Sequence, residues 1–277
     1  MTTIRARLST PLLYLVLLPM CAFVVFPFLW LALTSLKPDA EMFSIPPRWL
    51  PSHVTFGHYL DVLAGSFGLF LRNSLIVAVV STALAMALGL PAAFGFARYR
   101  YRLSGVLFAA IVAARMFPPV TLIIPYFMAM RTAGLINTPV ALIATYVPLE
   151  LPLIIWILEG FFRELPQEIE EAAEMDGLST LGILLRVAVP LSVPAIGVAV
   201  MFGFLQSWNE FIFALTLTQT PDAQTVPVGI AGYITSFQTF WGQMAAAAVL
   251  YSIPAIVVTA LAQRGLVRGL MVGAVKG

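Results

Sequence analysis

Between Pro166 and Gly177 the chain reads Pro-Gln-Glu-Ile-Glu-Glu-Ala-Ala-Glu-Met-Asp-Gly. Five of the 13 acidic residues of the protein lie in this segment, at positions 168, 170, 171, 174 and 176, and long apolar stretches flank it on both sides. Charged side chains are rarely buried without partners, so the segment must stand in water. It therefore marks a point at which a strongly apolar chain emerges into an aqueous compartment.

The composition of the rest of the chain is typical of an integral membrane protein. Of 277 residues, 60% are hydrophobic and 10% are charged, whereas roughly a quarter are charged in an ordinary soluble domain. Apolar runs recur along the whole length, which predicts one membrane domain over residues 1–277, surrounded by lipid. The net charge is only +2, and no cluster of Lys and Arg is interleaved with aromatic residues. Nucleic acid is therefore not expected as a partner.

The apolar runs predict an all-α polytopic fold with six transmembrane helices. Backbone polar groups have no water to bond in lipid, and the runs are far longer than barrel strands, so each span must be a helix. The predicted spans are residues 11–35, 70–97, 104–130, 138–160, 190–217 and 243–263. The first run is about twice as long as the apolar part of a signal peptide, so we interpret it as a retained anchor.

The basic residues predict the orientation of these helices. Cytoplasmic loops accumulate Lys and Arg. With the N-terminus inside, ten of the 15 basic residues fall on the cytoplasmic side: Arg5, Arg7, Arg98, Arg100, Arg102, Arg163, Arg186, Arg264, Arg268 and Lys276. We therefore expect a multi-pass protein of the cytoplasmic membrane with both termini in the cytoplasm. The loop of residues 161–189, which contains the acidic segment, is cytoplasmic in the same topology.

Two long loops are predicted on the outer side. Residues 36–69 are rich in proline and aromatic residues and are predicted either to lie across the membrane surface or to meet a partner. Residues 218–242 begin polar and become aromatic, and they are long enough to fold back into a vestibule. His53 and His58 lie in the first loop without a carboxylate or Cys cluster nearby, so we expect no metal site.

Three ionisable residues are predicted inside the membrane, namely Arg115, Glu150 and Glu210. A charge at mid-bilayer costs about 2.5 to 3.5 kcal/mol on insertion scales. The default interpretation is an ion pair between Arg115 and one of the two glutamates. Glu210 is expected well inside the fifth helix, where Asn209 and Glu210 side by side offer acceptors either to hydroxyl groups or to a neighbouring helix.

Small residues recur at every fourth position of the second predicted helix: Ser81, Ala85, Gly89, Ala93 and Ala97. Such a stripe lets another helix approach closely, because packing drives helix association in lipid. The sequence leaves open whether that helix belongs to this chain or to another.

The acidic segment itself is predicted to be a short helix. Pro166 suits the first turn, and Gly177 suits the left-handed cap that ends a helix. Ser179 or Thr180 then caps a second short helix that leads to Pro190. Helical spacing puts four residues on one face, namely Ile169, Ala172, Ala173 and Asp176. The paired alanines predict a flat strip that enters a cleft on another protein, where Glu171 meets a basic residue.

These residues resemble a known family. The run Glu171-Ala172-Ala173, then Gly177 and Val189-Pro190, resembles the EAA loop of binding-protein-dependent ABC importer permeases. Four further motifs resemble the smaller permease of maltose-type systems: Met116-Phe117-Pro118-Pro119, Gly160-Phe161-Phe162, Trp208-Asn209-Glu210-Phe211 and Gly273-Ala274-Val275-Lys276-Gly277. The likeness extends over roughly residues 68 to 277.

The resemblance implies a type I ABC importer permease fold and an ATP-driven importer of a sugar, either a disaccharide or an oligosaccharide. The implied partners are a second, non-identical permease, two copies of a cytoplasmic ATPase and an extracytoplasmic sugar-binding protein. The chain is then no enzyme and binds no cofactor, since ATP and Mg²⁺ belong to the ATPase. The sequence itself contains no Gly-Lys dipeptide and hence no phosphate-binding loop of the Gly-x4-Gly-Lys-Ser/Thr type.

The resemblance also implies three groups of site residues. The group that couples to the ATPase comprises Glu171, Ala172, Ala173, Asp176, Gly177 and Pro190. The group on the substrate pathway comprises Met116, Phe117, Trp208, Asn209 and Glu210. The group that contacts the binding protein comprises Thr220, Gln224 and Tyr233.

Two alternatives remain for the function. The same fold can import glycerol phosphate or another polyol-like solute. An ion-coupled secondary transporter is the alternative of a different class, but it requires coupling-ion groups and usually an internal repeat. Neighbouring genes for a second permease, a binding protein and an ATPase would favour the importer.

Overall fold

The computed structural model describes residues 2–99 and 101–274, with side chains described over 13–99 and 101–263. Arg100 and the last three residues of the C-terminal motif, which include Lys276, therefore lie outside the described residues. The same holds for the side chains of Arg5, Arg7, Arg264 and Arg268, on which part of the predicted orientation depends. In the described part, the fold is helical, with one isolated bridge between Ile234 and Thr239.

Thirteen α-helices follow one another along the described chain. The first six are α1 (Thr2–Ser35), α2 (Gly57–Ala64), α3 (Phe67–Arg98), α4 (Ser104–Ala114), α5 (Ile123–Thr132) and α6 (Pro139–Glu164). The others are α7 (Gln167–Met175), α8 (Thr180–Ile183), α9 (Val189–Leu191), α10 (Val193–Trp208), α11 (Ile212–Leu217), α12 (Val226–Ala231) and α13 (Trp241–Ala274). A π-helical segment, Leu184–Ala188, separates α8 from α9, and short 3-10 turns lie at Asp39–Glu41 and Pro119–Leu122.

Four of the described helices are long and apolar enough to cross a membrane: Leu13–Ser35, Phe67–Arg98, Pro139–Glu164 and Trp241–Gln263. Two bent pairs bring the number of candidate spans to as many as six, which agrees with the predicted six. The first pair, Ser104–Ala114 and Pro119–Thr132, bends by 93°. It corresponds to the third predicted span, which is broken because Pro118 and Pro119 lack the N–H that would continue α4.

The fifth predicted span, residues 190–217, is wrong as a continuous helix. Thr180–Leu191 meets α10 at an angle of 86°, and α10 ends at Trp208 before α11 begins at Ile212. Pro194 lies in the first turn of α10, a position that suits proline because its missing N–H is not needed there. Glu210 therefore lies in a helix break and not well inside a helix, as the sequence had suggested.

The described chain forms two compact units. The first unit comprises Met1–Phe67 and Ile230–Ser252. Its loop of residues 36–69 is organised around Glu41, whose carboxylate accepts from the Arg48 guanidinium at 3.2 Å and from the Ser52 backbone N–H at 3.0 Å. Lys37 is buried, donates to the carbonyl of Arg48 at 2.7 Å and lies 4.3 Å from the ring centre of Trp30. The loop is thus an ordered structure with its own polar interior.

The second unit comprises Gly68–Gly229 and Ile253–Gly277. Its main core is formed by α3, α6, α7, α10 and the short helical segments around Leu184. The small-residue stripe on α3 faces α6 of this chain: Ala85 is fully buried, and a Cβ built on Gly89 would lie 2.7 Å from Cγ2 of Ile154. The predicted close approach is therefore confirmed, and its partner is a helix of the same chain.

Candidate functional site

The acidic segment forms helix α7, and its end has the predicted geometry. Gly177 adopts φ +85°. The N–H of Leu178 donates to the carbonyl of Ala173 at 3.1 Å and that of Gly177 donates to the carbonyl of Glu174 at 2.9 Å, which is the Schellman pattern. A Cβ at position 177 would meet no atom within 4 Å. Glycine is therefore required by the left-handed backbone and not by lack of space.

Helix α8 follows at once and is capped by the first of the two predicted candidates. The hydroxyl of Ser179 accepts from the N–H of Gly182 at 3.3 Å. Thr180 is the first residue of the helix, and Pro190 lies exposed in the first turn of α9. Helices α7 and α8 are thus two short helices joined at a sharp turn, and the π-helical segment after them returns the chain to the apolar core.

The two alanines of α7 lie on different sides of the helix. Ala173 is 7% exposed and belongs to the main core, whereas Ala172 is exposed. The predicted flat strip of paired alanines is therefore wrong, because the core of this chain takes up one of them. We use the name outer face of α7 for six exposed side chains on one side of this helix and its end: Glu168, Ile169, Glu171, Ala172, Met175 and Asp176. Met175 is the most open of them, with 88% of its surface exposed.

Glu170 has a role that the sequence did not reveal. The Arg98 guanidinium donates to both carboxylate oxygens of Glu170 at 2.6 to 2.8 Å, and the two side chains are 8% and 14% exposed. Arg98 also donates to the carbonyl of Leu165 at 3.1 Å. The two charges are separated by 72 positions, and no sequence periodicity relates them. The only signal for this pair in the sequence was the excess of acidic residues in the segment together with the arginines at positions 98, 100 and 102.

Glu210 holds the start of α11. Its carboxylate accepts from the Tyr146 hydroxyl at 2.5 Å and from the N–H groups of Phe213 and Ala214 at 2.8 and 3.0 Å. These N–H groups lie in the first turn of the helix, where no carbonyl of the helix reaches them. The structure favours the second interpretation of Glu210, in which its carboxylate bonds neighbouring helices of its own chain.

The other predicted pathway residues have different environments. Trp208 is 1% exposed and stacks on Phe204 at 5.2 Å between ring centres. Asn209 is exposed and donates to the carbonyl of Leu205 at 2.7 Å. Met116 and Phe117 lie in the break after α4 and are 83% and 66% exposed. Trp208 is thus enclosed by its own chain, while the other three side chains are accessible to a cargo or a partner.

The predicted ion pair of Arg115 is wrong. Arg115 is exposed, and within the described residues it forms no ion pair with either glutamate. Glu150 is fully buried, accepts from Ser81 at 2.9 Å and is also bonded by the Ser207 hydroxyl. The two serine hydroxyls lie 2.8 Å apart. Hydroxyl groups of α3 and α10 therefore bond one oxygen of the carboxyl group, Oε1, where an arginine was expected, while Oε2 is buried without a hydrogen bond from the described residues.

Glu150 and Glu210 line one small cavity with Tyr146, Leu149, Gln206 and Ser207. The cavity lies between α6 and the C-terminal part of α10. Gln206 donates from Nε2 to the carbonyl of Leu149 at 3.0 Å, and its Oε1 is buried without a hydrogen bond from the described residues. This polar centre joins α3, α6 and α10 in the core of the second unit.

Two residues predicted to contact a binding protein have backbone groups bonded to asparagine side chains, and the Thr220 hydroxyl is bonded as well. The N–H of Thr220 donates to Oδ1 of Asn137 at 3.0 Å, and Asn137 donates back to the Thr220 hydroxyl at 2.9 Å. The carbonyl of Gln224 accepts from Asn73 at 2.9 Å. Both side chains remain at least partly accessible. Asn73 and Asn137, which the sequence analysis did not single out, thus fix the backbone of this segment.

Tyr233, the third such residue, belongs to the first unit. Its carbonyl accepts from the N–H of Phe240 at 3.0 Å, so it lies at the base of a tight turn. Phe237, near the tip of that turn, is 98% exposed. Burial raises the pKa of the Tyr233 phenol, and the nearby charge of Asp61 raises it further. The phenol therefore stays neutral and can donate a hydrogen bond over the whole physiological range of pH.

Comparison with known proteins gives a consistent match. Residues 85–272 match the family described as binding-protein-dependent transport system inner membrane component. A trehalose transport permease of Mycobacterium tuberculosis is 38% identical over 258 residues, which cover 92% of this chain and 93% of that protein. A sulfoquinovosyl glycerol transport permease of Agrobacterium fabrum is 36% identical over 254 residues, which cover 91% and 89%.

A chain of the crystal structure of a bacterial ABC transporter that imports the acidic polysaccharide alginate has a similar fold. The TM-score is 0.78 over 93% of this chain and 96% of that chain, at 21% sequence identity. At this identity the likeness concerns the fold. The chain therefore has the fold of an ABC importer permease.

Proposed function

This chain belongs to the family of binding-protein-dependent transport system inner membrane components, and we propose that it is the permease subunit of an ATP-driven importer of disaccharides or oligosaccharides. Its family is one of transport permeases and not of enzymes. The proposal adds the energy source, the partner subunits and the class of cargo.

The observation that carries the proposal is helix α7 with its outer face. Met175 is 88% exposed and Ile169 is 43% exposed, although both are apolar, and Glu171 is exposed between them. Apolar and acidic side chains on one short helix suit a cleft with an apolar floor and a basic rim. We assign this cleft to a cytoplasmic ATPase, with Asp176, Gly177 and Pro190 shaping the helix end and the return of the chain.

The proposal includes the assembly around the chain, as the family resemblance implies it. A second, different permease completes the membrane pathway, each permease takes one copy of the ATPase, and a binding protein delivers the cargo on the outer side. ATP and Mg²⁺ are then bound by the ATPase, and both termini of this chain lie in the cytoplasm. ATP-driven closure of the ATPase pair draws the two coupling helices together and exchanges inward-open and outward-open states.

Sugar is the cargo class that the relatives support. The trehalose and sulfoquinovosyl glycerol permeases are both more than 30% identical to this chain over most of its length. Met116, Phe117 and Asn209 are the accessible residues that we assign to the pathway. Thr220, Gln224 and Tyr233 are assigned to the contact with the binding protein. Glycerol phosphate or another polyol-like solute is the alternative cargo.

The test is uptake by the purified transporter in lipid vesicles that contain ATP. A thermal-shift screen of sugars and polyol phosphates on the binding protein encoded nearby selects the cargo. We expect ATP-dependent accumulation of a disaccharide or oligosaccharide, and no accumulation when the binding protein is left out. Uptake driven by an ion gradient in the absence of ATP would refute the proposal in favour of a secondary transporter.

A further inference from the structure

The C-terminal end of helix α3, which we call its inner end, is hydrogen-bonded to helix α7, the proposed coupling helix. The Arg98 guanidinium donates to both carboxylate oxygens of Glu170, from Nε at 2.8 Å and from a terminal nitrogen at 2.6 Å. A third bond runs from Arg98 to the carbonyl of Leu165, just before α7 begins at Gln167. We call Arg98 and Glu170 the inner clamp. A paired arginine with two parallel bonds fixes both the distance and the direction of its partner.

The inner clamp differs from the other cytoplasmic ion pair in the described part of the chain. Arg163 also pairs with a glutamate, Glu159, but both residues belong to α6 and Arg163 is 61% exposed. That pair spans one turn of α6, with Glu159 6% exposed, so it acts within this helix and holds no second helix in place. The inner clamp instead joins two separate helices, and its side chains are 8% and 14% exposed. Moving α7 relative to α3 would leave charges buried without partners, which is costly.

The outer end of α3 is fastened in a different way. Nδ2 of Asn73 lies 3.1, 2.9 and 2.9 Å from the carbonyl oxygens of Pro221, Asp222 and Gln224. The hydroxyl of Ser74 accepts from the N–H of Val226 at 2.9 Å. Asn73 is 1% exposed and Ser74 is 3% exposed. We call these two residues the outer clamp, because they hold the segment of residues 221–226 to the first turns of α3.

Between the two clamps α3 is one uninterrupted helix. Its 32 residues correspond to about 48 Å at 1.5 Å per residue. Along this length it is locked to α6 by the close approach of Gly89 to Ile154 and by the bond from Ser81 to Glu150. Close packing of this kind opposes sliding of α3 along α6, so a displacement at one end of α3 is carried along the helix.

We infer that α3 connects the two docking segments of the permease, and that Arg98 and Asn73 are the positioning residues that fasten it to them. The inference rests on the proposed function, in which α7 meets the ATPase and the segment of residues 221–226 lies near the binding protein. A loaded binding protein that displaces the outer segment then displaces α3, and Arg98 passes this displacement to α7. The two clamps therefore bias one two-state element from opposite sides of the membrane.

The test measures how strongly the loaded binding protein stimulates ATP hydrolysis by the whole reconstituted transporter. The sugar is the one that most stabilises the binding protein in a panel that begins with trehalose and maltose. We expect R98Q and N73A each to lower the stimulation at least about fivefold, the lower limit of usual coupling, while the ATPase still copurifies. The double variant is expected to be no worse than the worse single variant, because both act on one element.

Controls separate this role from a loss of folding. R163Q removes the pair within α6, which joins no second helix, and is expected to leave the stimulation as in the wild type. The exchanged pair R98E/E170R is expected to recover part of what R98Q loses. If R98Q does not accumulate in the membrane, R98K carries the test, because lysine keeps the charge but not the two parallel bonds.

The outcomes distinguish this inference from the proposed function. A wild-type transporter without ATP-dependent sugar uptake would refute the function. A working transporter in which R98Q behaves like R163Q, in which R98E/E170R recovers nothing, or in which the effects of R98Q and N73A multiply, would overturn the connecting role of α3.

Discussion

Replacing Gly177 by alanine tests whether the end of the coupling helix depends on backbone conformation alone. Gly177 has φ +85°, and an added Cβ would meet no atom within 4 Å. The left-handed backbone costs an L-residue roughly 1 to 2 kcal/mol, and no clash adds to this. Such a cost changes a local equilibrium by a factor of about 5 to 30. We therefore expect the cap formed by Gly177 and Leu178 to open 5 to 30 times more often.

Hydrogen exchange of the whole transporter measures this opening directly. The amides of Gly177 and Leu178, which donate to Glu174 and Ala173, are expected to lose protection by about the same factor. Uptake of sugar should fall in parallel, because α7 no longer presents its outer face in one orientation. Insertion into the membrane should be unchanged, since the site is exposed.

Two matched variants make the prediction falsifiable. Asn tolerates the left-handed region better than alanine, so Gly177→Asn should lose less protection than Gly177→Ala. Gly197 lies within α10 with open space around it and no positive φ, so Gly197→Ala should be neutral or stabilising by up to about 1 kcal/mol. Equal protection in all three variants would refute the backbone argument.

Three further predictions concern charged groups. Glu171→Lys reverses an exposed charge and is expected to abolish uptake and weaken copurification of the ATPase without changing the melting temperature; normal ATP-driven uptake would contradict the coupling role. Glu210→Gln weakens the bonds to α11 and to the Tyr146 hydroxyl and should destabilise the protein by about 1.5 to 3 kcal/mol, measured by thermal unfolding in detergent, whereas an unchanged melting temperature would exclude the capping role. The hydrogen bonds of Ser52 lower the pKa of Glu41 from its usual value of 4.5. These bonds therefore stabilise the loop above pH 4.5, and the stabilisation is lost as the pH falls through the lowered pKa. Proteolysis of the loop should increase over that pH interval in the wild type, and in Glu41→Gln it should be increased already at neutral pH.

Much of the coupling segment could be predicted from residues close in sequence. The helix from Gln167 to Met175, the glycine stop and the serine cap depend on contacts between residues at most five positions apart. Such contacts follow from local backbone preferences. The same reasoning failed at Glu210, because its carboxylate caps α11 and so begins a new helix within a run that hydropathy alone reads as continuous.

The partners of buried polar groups could not be predicted in this way. By charge, Arg115 was expected to pair with Glu150 or Glu210, yet Glu150 is bonded to Ser81 and Ser207, which lie 69 and 57 positions away. Hydroxyl groups carry no charge signal in a sequence. They serve as partners only because α3, α6 and α10 pack closely enough to bring them to the carboxyl group.

By itself, the sequence determined that this protein is a membrane protein with about six spans and an exposed acidic helix that stops at Gly177, because composition and short-range backbone preferences are sufficient for both. Only the tertiary structure decided which face of that helix is free. The main core takes up Ala173, and Arg98 holds Glu170 from a distance of 72 positions. These contacts depend on how whole helices pack against one another, and a local pattern such as the small-residue stripe of α3 predicts a close approach without identifying the partner helix.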